Sequence, residues 1–111
     1  MPSRGAELRL QDIAENIALA RGFLGDLDVD GLRSDVRTLY AVIRSLEIIS
    51  EASRHLPSEM KERFPIVPWP KIAGAGNIYR HEYQITKVDV IWETVKVGLD
   101  DLERAVAKEL G

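Results

Sequence analysis

Three stretches of this chain repeat apolar residues at three- and four-residue spacing, and that period leaves little choice but helices. In the first, over Ala6 to Leu24, the stripe is Leu10, Ile13, Ile17, Ala20 and Leu24, with Asp12, Glu15 and Arg21 off it. In the second, from a cap at Ser34 or Asp35 to about Leu56, it is Leu39, Val42, Ile43, Leu46, Ile49 and Leu56. There Arg44, Ser45, Glu47 and Glu51 mark the polar side. A third runs to Leu110 through Ile91, Val95, Leu99, Leu102, Val106 and Leu110, with Trp92 packed beside it. Thr86-Lys87-Val88-Asp89 reads as its capping box. No segment alternates with the two-residue period of a strand. The expected fold is therefore all-α, an up-down bundle of three longer helices plus short ones.

Two breaks divide the stripes. Gly25 to Gly31 is rich in turn formers and reads as a solvated loop. Its aspartates, Asp26, Asp28 and Asp30, lack the terminal glutamate of a calcium-binding loop. Pro57, Pro65, Pro68 and Pro70 crowd the second break. Ser58 to Phe64 fits one or two helical turns capped by Ser58, and Pro70 suits the first turn of another helix, because its missing N–H is no loss there. That helix should reach Tyr79 or beyond. Gly74 and Gly76, with alanines beside them, point to the close approach of another helix.

The 111 residues fit one domain, 1–111, with a single core. With no cysteine, disulfides and thiolate metal sites are excluded, and two histidines are too few for a His-rich metal centre. We expect no metal and no cofactor. A net charge of −3 argues against strong non-specific binding of nucleic acid, while leaving room for a small basic groove shared between two chains. No apolar run approaches the length of a membrane span, and the first residues lack the apolar centre of a secretion signal, so a cytoplasmic protein without membrane contact is expected.

The chemistry concentrates in Gly76-Asn77-Ile78-Tyr79-Arg80-His81-Glu82-Tyr83. An imidazole can donate or accept a proton near neutral pH, which singles out His81. A second candidate is the carboxylate pair Glu47 and Glu51, four apart and so on one helix face, where a solvated or dimer-facing edge is the ordinary alternative to a metal or acid–base site.

Ala41 to Ala52 and Pro65 to Gly74, together with Leu8-Arg9-Leu10-Gln11-Asp12-Ile13 and Ile91-Trp92-Glu93-Thr94-Val95, resemble segments of the HepT-like family, within the HEPN superfamily of helical bundles. The resemblance implies a homodimeric, metal-independent ribonuclease toxin of a type VII toxin–antitoxin system, acting on RNA such as transfer RNA. Its implied partner is a minimal nucleotidyltransferase antitoxin of the MntA type, which silences the toxin by AMPylation of a tyrosine. The family motif is arginine, four residues, histidine, one residue, tyrosine. His81 and Tyr83 match its histidine and tyrosine, and Asn77 matches the asparagine that often follows the arginine. Gly76 stands where the arginine should be.

On this resemblance His81 is catalytic, Gly76 and Asn77 lie at the RNA-binding motif, and Tyr83 is the modified residue, with Tyr79 one turn earlier as the secondary acceptor. Arg80, one helical turn after Gly76, is the candidate to supply the lost guanidinium, its ordinary alternative being a surface pair with Glu82. The alternative function is a catalytically degenerate HEPN module that binds a nucleotide or the transferase without cleaving anything.

Overall fold

The computed structural model describes residues 2–81 and 87–111, the side chains of 77–81 excepted, and every regular element among them is helical. In chain order these are α1 (Arg4–Leu24), α2 (Val29–Ser34), α3 (Val36–Arg54), α4 (Ser58–Glu62), α5 (Trp69–His81), α6 (Val88–Glu93), a π-helical turn (Thr94–Gly98) and α7 (Asp100–Leu110). The all-α expectation holds. Helices α1 and α3 form the central pair; α7 packs on α1 and α5 on α3.

The apolar period of α1 is what seats it: Leu10, Ile13, Ile17, Ala20 and Leu24 are all buried. Each large side chain so buried contributes about 1.5–3 kcal/mol. The Ser3 hydroxyl caps the helix by accepting the Ala6 N–H at 3.2 Å. Gly25 ends it at φ 53, a left-handed conformation that glycine adopts without strain, and its N–H donates to the Arg21 carbonyl. Arg21 then ties the end of α1 to the start of α7, reaching Asp100 at 2.7 Å and Glu103 at 2.6 Å.

Several local expectations give way to tertiary contacts. The 25–31 break is not all loop. Asp28 caps a short helix by accepting the Gly31 N–H at 2.7 Å, and α2 forms because Leu32 finds a fully buried site. Between the two offered caps of α3, Asp35 is the cap, bonded to the Thr38 N–H at 3.0 Å and to its hydroxyl at 2.8 Å, while Ser34 belongs to α2. Pro57, not Ser58, precedes α4, and no side chain caps that helix. Ser45 is buried rather than on the polar side, its hydroxyl donating to the Ala41 carbonyl. Thr86 lies outside the described residues.

The last helical run is not a single α-helix. Leu99 donates its N–H to the Thr94 carbonyl, five residues back. Ile91, Val95 and Leu99 follow one another at steps of four, which overshoot a 3.6-residue turn, and the wider π turn keeps all three buried. Leu110 ends the stripe 37% exposed, where α7 runs out past the bundle. Trp92 packs as expected, and its indole N–H donates to the Leu27 carbonyl at 2.8 Å. No helix among the described residues is long and apolar enough to cross a membrane.

Candidate active site

Helix α5 carries the first part of the polar motif, Gly76 to His81, and the residues before it explain its placement. Pro65 and Pro68 keep the chain from continuing as helix before Trp69, and Pro70 sits in the first turn of α5, where its missing N–H is no loss. The Trp69 indole N–H is shared between the Lys61 and Phe64 carbonyls, 3.1 Å from each. Lys61 lies over the ring at 5.9 Å. The start of α5 is thereby anchored to the end of α4.

From there α5 lies along α3. The Ser50 hydroxyl bridges the two helices: it donates to the Ala73 carbonyl at 2.9 Å and accepts the Gly76 N–H at 3.0 Å. Arg54 donates to the same Ala73 carbonyl at 2.9 Å. Ser50 and Gly76 are both buried, and Ser53, fully buried, donates to the Ser50 carbonyl at 2.7 Å. The small residues 73–76 thus fulfil the expected close helix approach inside one chain, against α3. Gly74 remains open, with nothing near the place a Cβ would take.

These contacts set an antiparallel register. Ala73 is level with Ser50 and Arg54, and Gly76 with Ser50. One turn further, the backbone of residues 80 and 81 comes level with the 45–47 turn of α3. The helix continues without a break through His81. Asn77, Arg80 and His81 are accordingly all on α5, with their side chains undescribed, and Tyr83 lies outside the described residues.

Beside the start of this contact stands a cluster of which the sequence singled out Glu51 but not its two partners. Arg54 and His55 both engage Glu51: Arg54 pairs with one carboxylate oxygen, and His55 Nε2 lies 3.2 Å from the other. The Arg54 hydrogen bond, followed by that of His55, holds the Glu51 carboxyl below its ordinary value against a smaller effect of burial. The available signal was the four-residue spacing of Ser50 and Arg54 on α3, but serine and arginine at that spacing are common on helices and mark nothing by themselves.

Glu47 and Glu51 do share a face of α3, as their spacing predicts. They line a groove of 470 Å³ with Arg9, Asp12, Arg44, Ile48 and Ala52, at the seam between α1 and α3. Arg44 lies 3.6 Å from Glu47. Among the described residues no three His, Cys, Asp or Glu side chains are grouped to hold a metal ion.

Comparison with known proteins adds a family to this geometry. A family model described as "Ribonuclease HepT-like" matches residues 13–109. A protein of Thermococcus cleftensis named "Probable ribonuclease HepT" is 38% identical over 94 residues, covering 85% of this chain and 86% of its own length. A "Putative RNase" of Methanocaldococcus jannaschii is 35% identical over 106 residues, 96% of this chain and 97% of the relative. Another, of Caldanaerobacter subterraneus, is 43% identical over 70 residues, 63% of this chain and 62% of its own. No solved structure matches.

Proposed function

The chain belongs to the HepT-like ribonuclease family, and from that membership we propose that it is a metal-independent endoribonuclease toxin, homodimeric and silenced by AMP transfer to Tyr83. One observation supports placing the centre on α5: the helix persists through His81, so Asn77 and His81 stand one turn apart on one face, as do residues 76 and 80.

Cleavage requires a base to take the 2′-hydroxyl proton as that oxygen attacks phosphorus, and an acid to protonate the departing 5′ oxygen. In this reading His81 serves one role and the same residue of a second copy the other. The pentavalent phosphate also needs positive charge, the ordinary office of the motif arginine. Gly76 offers none; it is buried, with its N–H given to Ser50. Two other arginines are candidates for that charge. Arg80 follows Gly76 by one turn, about 5.4 Å along the axis, and helix side chains lean toward the N-terminus. Arg54 already touches the Ala73 carbonyl. A helical carbonyl points at the residue four further on, so this guanidinium lies beside the 76–77 turn.

Silencing follows from charge and bulk. If the Tyr83 oxygen attacks the α-phosphorus of a nucleoside triphosphate held by the transferase, pyrophosphate leaves. The tyrosine then carries a phosphate's negative charge and a purine, both of which oppose RNA. The partner is a minimal nucleotidyltransferase antitoxin, and the setting is the cytoplasm.

The test is expression of the protein alone, scoring growth and cleavage of a transfer-RNA pool beside His81→Ala, Arg80→Ala and Arg54→Ala. Loss of about a hundredfold in cleavage at one arginine identifies the phosphate brace. Full activity in His81→Ala refutes the assignment. A second reading is favoured by Gly76 itself: a HEPN module that binds its transferase or a nucleotide and cleaves nothing. Normal growth and intact RNA, with soluble wild-type protein present, select that reading. Tyr83 is tested by mass spectrometry after co-expression with the transferase, and equal AMP incorporation in Tyr83→Phe removes it as the acceptor.

A further inference from the structure

The outer side of α3 carries a strip that neither the core nor the proposed cleavage uses. Taking the direction of Ser50 as the side packed on α5, Tyr40, Arg44 and Arg37 stand about 80°, 120° and 140° around the helix. Leu39, Val42, Leu46 and Ile49 lie on the opposite flank, in the core. The strip therefore borders the α5 contact. All three of its residues are exposed, Tyr40 by 62% and the Arg44 side chain by 71%. Tyr40 is the most exposed aromatic residue among those described. Among the described residues the side chains of Arg37 and Tyr40 make no hydrogen bond or ion pair. Arg44 approaches Glu47 at 3.6 Å, a long contact at the surface that holds it weakly. Neighbouring carboxylates are engaged elsewhere, Asp35 by Thr38 and Glu51 by Arg54 and His55. The strip is thus a small basic surface on a chain whose net charge is −3.

We propose that Arg37, Tyr40 and Arg44 form a subsite for single-stranded RNA, in which Tyr40 stacks on one unpaired base and the arginines take the phosphates on either side of it; this rests on the ribonuclease reading above and adds the path by which substrate reaches the motif helix. The chemistry selects the occupant. An aromatic face open to solvent stacks on any base that is not already paired. A guanidinium binds phosphate through its planar fork of N–H donors. Duplex RNA offers phosphates but no free base face, so the ring selects single strands. An acidic protein segment would use the arginines and leave the ring idle. Position favours the same occupant. The backbone of residues 80 and 81 is level with the 45–47 turn of α3, so Arg44 is level with the end of α5. Tyr40 and Arg37 follow about 6 and 10 Å further along α3. A strand stacked on Tyr40 and held at Arg44 leads toward the end of the helix that carries His81.

Binding and cleavage by the full-length protein provide the test. Binding uses a fluorescent single-stranded oligoribonucleotide, and the same strand annealed to its complement, in a His81→Ala background that keeps the RNA uncut. Tyr40→Ala should raise the dissociation constant for the single strand about tenfold, and Tyr40→Phe, which keeps the ring, should hold it near the parent value. Arg37→Gln and Arg44→Gln should each lower the slope of log affinity against log salt by about 0.7, the amount due to one phosphate contact on a single strand. A merely structural role would not move that slope. In cleavage, the Tyr40→Ala, Arg37→Gln and Arg44→Gln changes should raise KM for the long strand with kcat unchanged. A dinucleotide, too short to reach from the strip to the end of α5, should be cut at the wild-type rate. Parent-like binding in Tyr40→Ala, with unchanged salt slopes in the arginine variants, overturns the subsite and leaves the nuclease reading standing. Duplex bound as tightly as the single strand also overturns it. A wild type that neither binds nor cuts RNA overturns both.

Discussion

Ser50→Ala isolates the contact that positions α5. Ser50 is 1% exposed, and its hydroxyl both donates to Ala73 and accepts from Gly76 across two helices. The substitution removes one oxygen from a site an alanine methyl fills almost as well, so the packing change is small. Two hydrogen bonds are lost at about 1 kcal/mol each. Ala73 keeps Arg54 as a donor, so its carbonyl is not orphaned. The expected loss is about 2 kcal/mol, equivalent to a fall of about 8 °C in Tm for a domain of this size. Urea unfolding followed by circular dichroism should show a lower midpoint with an unchanged slope. Because Arg54 and Ser50 share one acceptor, the double variant Ser50→Ala with Arg54→Ala should lose about 1 kcal/mol more than the sum of the singles. A single-variant loss below about 0.5 kcal/mol, or strict additivity in the double, would refute the claim that this hydroxyl holds α5 to α3.

Other consequences are more local. Leu32→Ala should remove about 2–5 kcal/mol, because that fully buried side chain is what holds α2 to the bundle, and denaturant unfolding measures it. Arg21→Ala should lose about 0.5–1 kcal/mol, fading in high salt, since its two partners Asp100 and Glu103 are half-exposed. Thr38 donates to Asp35 first through its N–H and then through its hydroxyl, which holds that carboxyl below its ordinary value of 3.8. A depressed folded pKa means the contribution is complete above the unfolded value and disappears as pH falls through the folded one. Asp35→Asn should therefore flatten the acid limb of the stability profile below about pH 4, and an unchanged limb would exclude the cap as its source.

The motif was legible as a local pattern in the sequence, and Gly76 and Asn77 could be placed on a helix reaching Tyr79 or beyond; that the same helix runs on through His81 was decided by the structure. The roles of Ser50 and Arg54 were not legible, because their contacts with Ala73 span 23 and 19 residues and arise only when α3 and α5 pack. Nothing in a serine on an apolar stripe states whether its hydroxyl will turn back on its own helix, as Ser45 does, or bridge to another, as Ser50 does.

By itself the sequence determined the three long helical runs and their apolar stripes. The apolar stripes of α1 and α3, and that of the last run up to Val106, are each buried as their period requires, because burial follows residue type and period directly. Whole-chain patterning likewise sufficed to point to the family. Tertiary structure alone decided what neighbours offer each other. Leu32 made a helix of a loop by finding a cavity, and the packing of Ile91, Val95 and Leu99 widened a helix into a π turn. The buried contact with Ser50 turned the glycine at the motif's first position into part of the α3–α5 interface. Those outcomes depend on distances between residues far apart in the chain, and folding sets such distances by satisfying all contacts at once.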